Sequence, residues 1–235
     1  MGGLTAADLL DLADEGRALD WPSRGLLLVA RAWPESADIA RLDLPLGVRD
    51  RLALALRVQT FGRVLELRAR CRACGAELAA SVDLGSVLGA YAGEPPARVS
   101  VEVDGAPIEA RMPSTADVLA AAAMPPGEDE WVLFERCVGS KPQGDAERVR
   151  RKVAEAIAEA DPITSLEFEL ECHACGARSA EPFDPVAAFW REIEAAADRA
   201  AIEVHALASS YGWSERDILA MPAGRRQRYL ALRDR

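Results

Sequence analysis

Cys71-Arg72-Ala73-Cys74-Gly75-Ala76 and Cys172-His173-Ala174-Cys175-Gly176-Ala177 are two copies of one short pattern in a chain of 235 residues. A Cys-x-x-Cys turn aims two sulfurs at one point. The glycine that follows supplies the positive φ that lets backbone N–H groups turn toward those sulfurs. Two sulfurs make half a structural zinc site, which takes four tetrahedral nitrogen or sulfur ligands. Each copy is the only available complement of the other. The pattern therefore predicts one structural Zn2+ held by Cys71, Cys74, Cys172 and Cys175, stapling the first third of the chain to the last.

The match runs beyond the cysteines. Aligned on them, Glu66 falls on Glu167, Leu67 on Phe168, Ala76 on Ala177, Val82 on Phe183 and Asp83 on Asp184. An alternating run precedes each turn, at 64–70 and again at 163–171, and a short apolar stretch follows each. This spacing predicts two β-hairpins with a knuckle at each tip, an internal pseudo-repeat of the zinc-ribbon type. Two other readings stay open: separate sites completed by other groups, and cysteines serving as local disulfides or redox pairs. The redox readings want an oxidising compartment or a Cys-x-x-Cys opening a helix in a βαβ unit, and neither context is visible. His173 lies between two ligands and can substitute for one, although a residue at that place in a knuckle more often points to solvent.

With half its residues hydrophobic, the chain can bury a sizeable core. No apolar run reaches membrane-span length, and the acidic first 19 residues do not read as a signal peptide, so a cytoplasmic protein is expected. The formal net charge of −10 argues against nucleic-acid binding, because phosphate contacts need clustered Lys and Arg. Arg225, Arg226, Arg228, Arg233 and Arg235 form a local exception, interleaved with Tyr229, Leu230 and Leu232. Two readings apply to them: a solvated helix face, or a docking surface for an acidic protein partner. The fifth cysteine, Cys137, sits in an apolar helical pattern and reads as a buried thiol.

The remaining elements follow from caps and breakers. A first helix is expected over 4–20 with Thr5 as N-cap, ended by Trp21-Pro22. Ser23 then opens a second helix, which Trp33-Pro34 closes, and a third covers 48–60. Asp104-Gly105 predicts a central hairpin, and Ser114 or Thr115 with Asp117 caps a following helix. Helices around 131–137 and over 146–160 precede Asp161-Pro162. Asp184-Pro185 starts a long helix reaching Ser210, and Tyr211-Gly212-Trp213 stops it. Ser214 caps a short helix, and Pro222 begins the last.

The expected fold is thus α+β and mainly α-helical, with the two ribbons and a small central β-hairpin joining helical segments. Its segments are 1–62, 63–90, 98–162, 163–183 and 184–235. The sequence carries no Gly-rich phosphate loop, His-Glu-x-x-His or nucleophile elbow. His205 has no evident carboxylate or nucleophile beside it. No enzymatic activity and no small-molecule substrate are expected.

One combination of motifs is distinctive. The stretches Glu203-Val204-His205-Ala206-Leu207-Ala208, Tyr211-Gly212-Trp213-Ser214-Glu215 and Arg225-Arg226-Gln227-Arg228-Tyr229-Leu230 resemble the baseplate assembly proteins of contractile phage tails. That family includes the T-even hub-assembly proteins and relatives in extracellular contractile injection systems. Arg111-Met112-Pro113-Ser114-Thr115-Ala116-Asp117, with Arg136-Cys137-Val138 and Asp161-Pro162, is similar to members carrying two Cys-x-x-Cys elements. The resemblance implies a non-enzymatic structural or assembly protein incorporated in, or helping to build, a phage-like particle. Its partners would be hub, spike or wedge proteins, with Tyr211, Trp213, Arg225, Arg226 and Tyr229 as the partner-binding residues. The alternative is a zinc-ribbon regulator of nucleic acid. Arg68, Arg70 and Arg72 offer such a protein a small basic face, but Glu169 and Glu171 occupy the corresponding strand of the second copy.

Overall fold

Thr5 and Asp8 start the first helix by exchanging bonds: the Thr5 hydroxyl accepts the Asp8 N–H at 3.2 Å, and the Asp8 carboxylate accepts the Thr5 N–H at 2.8 Å. This is a computed structural model that describes residues 2–35, 41–139 and 145–233. Helix α1 is Ala6–Gly16 and α2 is Trp21–Ala32. Helix α1 therefore stops short of the expected end at 20, and Trp21-Pro22 opens α2 rather than ending α1. Asp20 caps α2 by accepting the Ser23 N–H at 2.9 Å, and Pro22 occupies the first turn, where its missing N–H costs nothing. The expected opening at Ser23 therefore moves back by two residues. Helix α3, Leu46–Phe61, also begins earlier than 48, because the Leu46 N–H donates to the Pro113 carbonyl at 2.9 Å.

Strands β1, Val64–Arg70, and β2, Glu77–Asp83, form the first ribbon; α4, Leu84–Ala90, follows it. Strands β3, Arg98–Val103, and β4, Ala106–Arg111, form the central hairpin. Asp104 and Gly105 turn it at φ of 52° and 81°, a two-residue turn whose twist matches that of its strands. Helices α5, Thr115–Ala122, α6, Asp129–Val138, and α7, Ala146–Ala160, follow, then a 3-10 turn at Pro162–Ser165. Strands β5, Glu167–Glu171, and β6, Arg178–Pro182, make the second ribbon. Helices α8, Pro185–Tyr211, α9, Glu215–Leu219, and α10, Ala223–Arg233, complete the described chain. The fold is α+β and mainly helical, with antiparallel two-stranded sheets. Of the basic residues singled out near the end of the chain, Arg235 lies outside the described residues. The second ribbon starts later than 163, because Ile163 is fully buried in the 3-10 turn rather than extended.

Helix α8 is the spine. Its Val186, Phe189, Trp190 and Ile193 pack with Leu9 and Leu12 of α1, Leu28 of α2 and Leu56 of α3 in one core, so the first and last segments of the chain are packed together. Helix α1 crosses Trp190 at Gly16, where a Cβ would lie 2.0 Å from the indole Cζ2. Gly16→Ala should cost about 2 kcal/mol through overpacking, because a ring fixed between Gly16 and Arg24 has nowhere to move. The midpoint of chemical denaturation reads that loss directly.

Two buried ionic contacts fix the roots of the ribbons. Arg57 of α3, nearly fully buried, donates to both Glu192 oxygens on α8 at 2.6 and 2.8 Å and to the Gly62 carbonyl just before β1. The buried Asp161 carboxylate, at the end of α7, accepts from Arg51 at 2.9 Å. It lies over Gly47 in the first turn of α3, where a Cβ would come within 1.9 Å of Oδ2. A carboxylate is favoured at a helix N-terminus. This one binds the root of the second ribbon to the helix that leads into the first. Between the roots, Leu54, Leu65, Leu84, Ile163, Leu166 and Phe183 bury a second core, so the hairpins rise side by side from a common base.

Candidate metal centre

The ribbons repeat each other in bonding as well as in sequence. The Cys71 N–H donates to the Ala76 carbonyl at 2.9 Å and the Gly75 N–H to the Cys71 carbonyl at 2.8 Å; Cys172, Ala177 and Gly176 reproduce both bonds, each at 2.8 Å. Gly75 and Gly176 sit at φ of 74° and 70°, the left-handed region that closes each knuckle. Leu65 pairs with Val82, and its counterpart Leu166 accepts the Phe183 N–H at 2.8 Å. The repeat continues past the hairpins. Asp83 accepts the Gly85 N–H to cap α4, and Asp184 accepts the Ala187 N–H to cap α8.

At the tips the four predicted cysteines meet. Their sulfurs all lie within 4.8 Å of one another. Across the two knuckles Cys71 faces Cys175, and Cys74 faces Cys172, each pair at 3.7 Å. A tetrahedron of sulfurs about 2.3 Å from a central ion has an edge of about 3.8 Å. The cross-knuckle spacing fits that edge and lies far outside a covalent S–S bond, so the cysteines are free thiols. Cys71 and Cys172 are buried on a small floor of Leu78 and Leu170, with Ala69, Ala76, Ala80 and Ala177 around it. Cys74 and Cys175 face solvent.

The electrostatics also ask for a cation. Backbone N–H groups of Cys74 and Ala73 lower the Cys71 thiol to about 7. The Ala177 N–H pulls Cys175 the same way, but the sulfurs of Cys74, Cys172 and Cys71 outweigh it and push that thiol up to about 12. The first thiolate forms easily, while the last is opposed by its neighbours until a positive ion stands among them. Arg72 and Arg178 line the same groove as Cys71, each paired with a carboxylate, Glu181 and Glu171 respectively. Thiolates in this arrangement select a soft or borderline metal. The residues present therefore fit a metal ion, with all four ligands drawn from the two knuckles.

Compared with protein-family models, with characterised proteins and with solved structures, the chain matches none.

His173 is exposed between two ligands and is not one of the clustered donors. His173→Ala should leave metal stoichiometry unchanged in elemental analysis. His205 is exposed on α8. Cys137 is buried between α6 and α7 in the central core, and burial pushes its thiol up to about 11, which keeps it protonated and unreactive.

The expected partner residues divide. Tyr211, Trp213 and Tyr229 come together: Tyr211 stacks on Trp213 at 4.6 Å, and Trp213 meets Tyr229 edge to face at 4.8 Å. Arg225 is exposed. Arg226 instead turns inward, only 7% exposed, donating to Glu203 of α8 at 2.8 Å and to the Met221 carbonyl at 2.7 Å. It ties α10 to α8 and has little surface left to offer. Sequence reasoning did not single out the leucine floor beneath the sulfurs; alternation within the flanking strands, which points Leu78 and Leu170 to one side, was the available signal.

Proposed function

We propose that this chain is a non-enzymatic, zinc-stapled structural or assembly protein of the baseplate of a phage-like contractile injection system. The observation that carries the stapled part is the 3.7 Å cross-knuckle spacing of four sulfurs drawn from the first and last thirds of the sequence. A divalent ion there would join the two ribbon tips above their common apolar base, at a site with closed, all-protein coordination, the arrangement of structural rather than catalytic zinc. Cys71, Cys74, Cys172 and Cys175 would hold it, and it would supply folding free energy. The baseplate part rests on the motifs around Tyr211-Gly212-Trp213 and Arg225-Arg226. A rigid spine with an aromatic, basic end suits a protein that positions others.

Affinity purification of the tagged chain from cells producing the particle tests the reading. Hub, spike, wedge or sheath components should accompany it at physiological salt and without nucleic acid. Recovery of nucleic acid alone, lost when Arg68, Arg70 and Arg72 are replaced by Ala, would replace the assembly reading with the regulator.

A further inference from the structure

The last helix separates its residues by face. Arg226 looks toward α8, where its buried guanidinium pairs with Glu203, whose other oxygen accepts from Gln227 at 2.5 Å. Arg225, Arg228, Tyr229 and Leu232 fall at i, i+3, i+4 and i+7, one stripe of an α-helix. Arg225 and Arg228 are exposed and form no ion pair among the described residues. Helix α10 itself contains no Asp or Glu. Among the described residues, the carboxylate that contacts it, Glu203, is already paired with Arg226.

A solvated face explains the arginines but not their neighbours. Leu232 is 54% exposed and Tyr211 37%. The Tyr211 hydroxyl donates to the Tyr229 carbonyl at 3.2 Å, and the Tyr211, Trp213 and Tyr229 rings brace one another. Stiff aromatic groups beside unpaired arginines and an exposed leucine have the make-up of an interaction hot spot, where little side-chain entropy remains to be lost on binding. Because the rings are packed on each other, no open ring pair offers a slot for an unstacked base.

We infer that the outer stripe of α10, formed by Arg225, Arg228, Tyr229 and Leu232 and backed by Tyr211 and Trp213, docks an acidic, amphipathic segment of a partner protein. Carboxylates of that segment pair with Arg225 and Arg228, and an apolar side chain covers Leu232 beside the Tyr229 ring. The inference rests on the reading of the chain as one that binds other proteins, and is independent of the metal.

Selection from a random helical-peptide display library against the metal-loaded chain tests it, with a single-stranded DNA oligonucleotide as competitor. The expected winners carry Asp or Glu flanking an apolar residue, are not displaced by the oligonucleotide, and lose affinity about tenfold or more on Arg225→Glu with Arg228→Glu, changes at exposed positions that should leave melting unchanged. Leu232→Ser should weaken the same winners. Basic or uncharged winners, winners indifferent to these substitutions, or displacement by DNA would overturn the docking face. Retention of metal by the Arg225→Glu/Arg228→Glu chain distinguishes that failure from a failure of the staple.

Discussion

Cys172→Ser is expected to abolish metal retention and to lower the stability of the chain by on the order of 4 kcal/mol. The site draws two ligands from each knuckle, so losing one leaves three donors and an open position. Cys172 is also the less replaceable kind of ligand here, being buried against Leu170 and Leu78 rather than facing solvent. The apolar base at Leu54, Ile163 and Phe183 keeps the ribbon roots together without the ion. The expected variant is therefore a destabilised protein with loosened tips rather than an unfolded chain. Thermal melting with and without a chelator separates the two contributions: the chelator should shift the wild type to the variant's melting temperature and leave the variant unmoved.

The ribbons were legible because every requirement of a knuckle is local: two sulfurs, a glycine able to adopt positive φ, and an alternating strand on either side. That the two knuckles come together was legible only by counting the ligands a zinc ion takes, since the contacts placing them together, Arg57 to Glu192 and Asp161 over Gly47, join residues far apart in sequence. Local signals also conflict. Trp21-Pro22 reads as a stop because proline cannot continue a helix, yet the same proline fits the first turn of the next helix, and Asp20 decides the matter as its cap. At the other end, periodicity groups Arg225 and Arg226 as neighbouring basic residues. Only the position of Glu203 on α8 shows that one points inward and the other out.

The second large effect lies away from the metal, at Asp117. This fully buried carboxylate accepts from Arg111 Nη1 and Nη2, both at 2.6 Å, from Arg136 Nε at 2.7 Å, and from the Ser114 N–H at 2.9 Å and hydroxyl at 3.0 Å. It thereby fastens β4, the start of α5 and the side of α6 to one anion. Asp117→Asn turns an amide N–H2 toward groups that are all donors and should cost about 3 kcal/mol. Half-exposed guanidinium groups that can turn to water keep the loss from being larger.

The pH dependence has a definite sign. Burial raises the Asp117 pKa, but bonds from Arg111, Ser114 and Arg136 outweigh it and hold the carboxyl well below the usual carboxylate range. A depressed folded-state pKa contributes stability above the unfolded value of about 3.9, and that contribution is lost as pH falls toward the folded one. The deficit of Asp117→Asn relative to wild type should accordingly be full at neutral pH and shrink below about pH 4. Urea denaturation of both proteins across that range checks it.

The central claim, one ion shared by two distant knuckles, is tested most directly by elemental analysis of metal per chain in the wild type and in a variant with Cys71 and Cys74 both replaced by Ser. The staple requires one zinc in the wild type and none in the variant. Metal retained by the variant would mean that the second knuckle binds on its own, and would contradict a shared site.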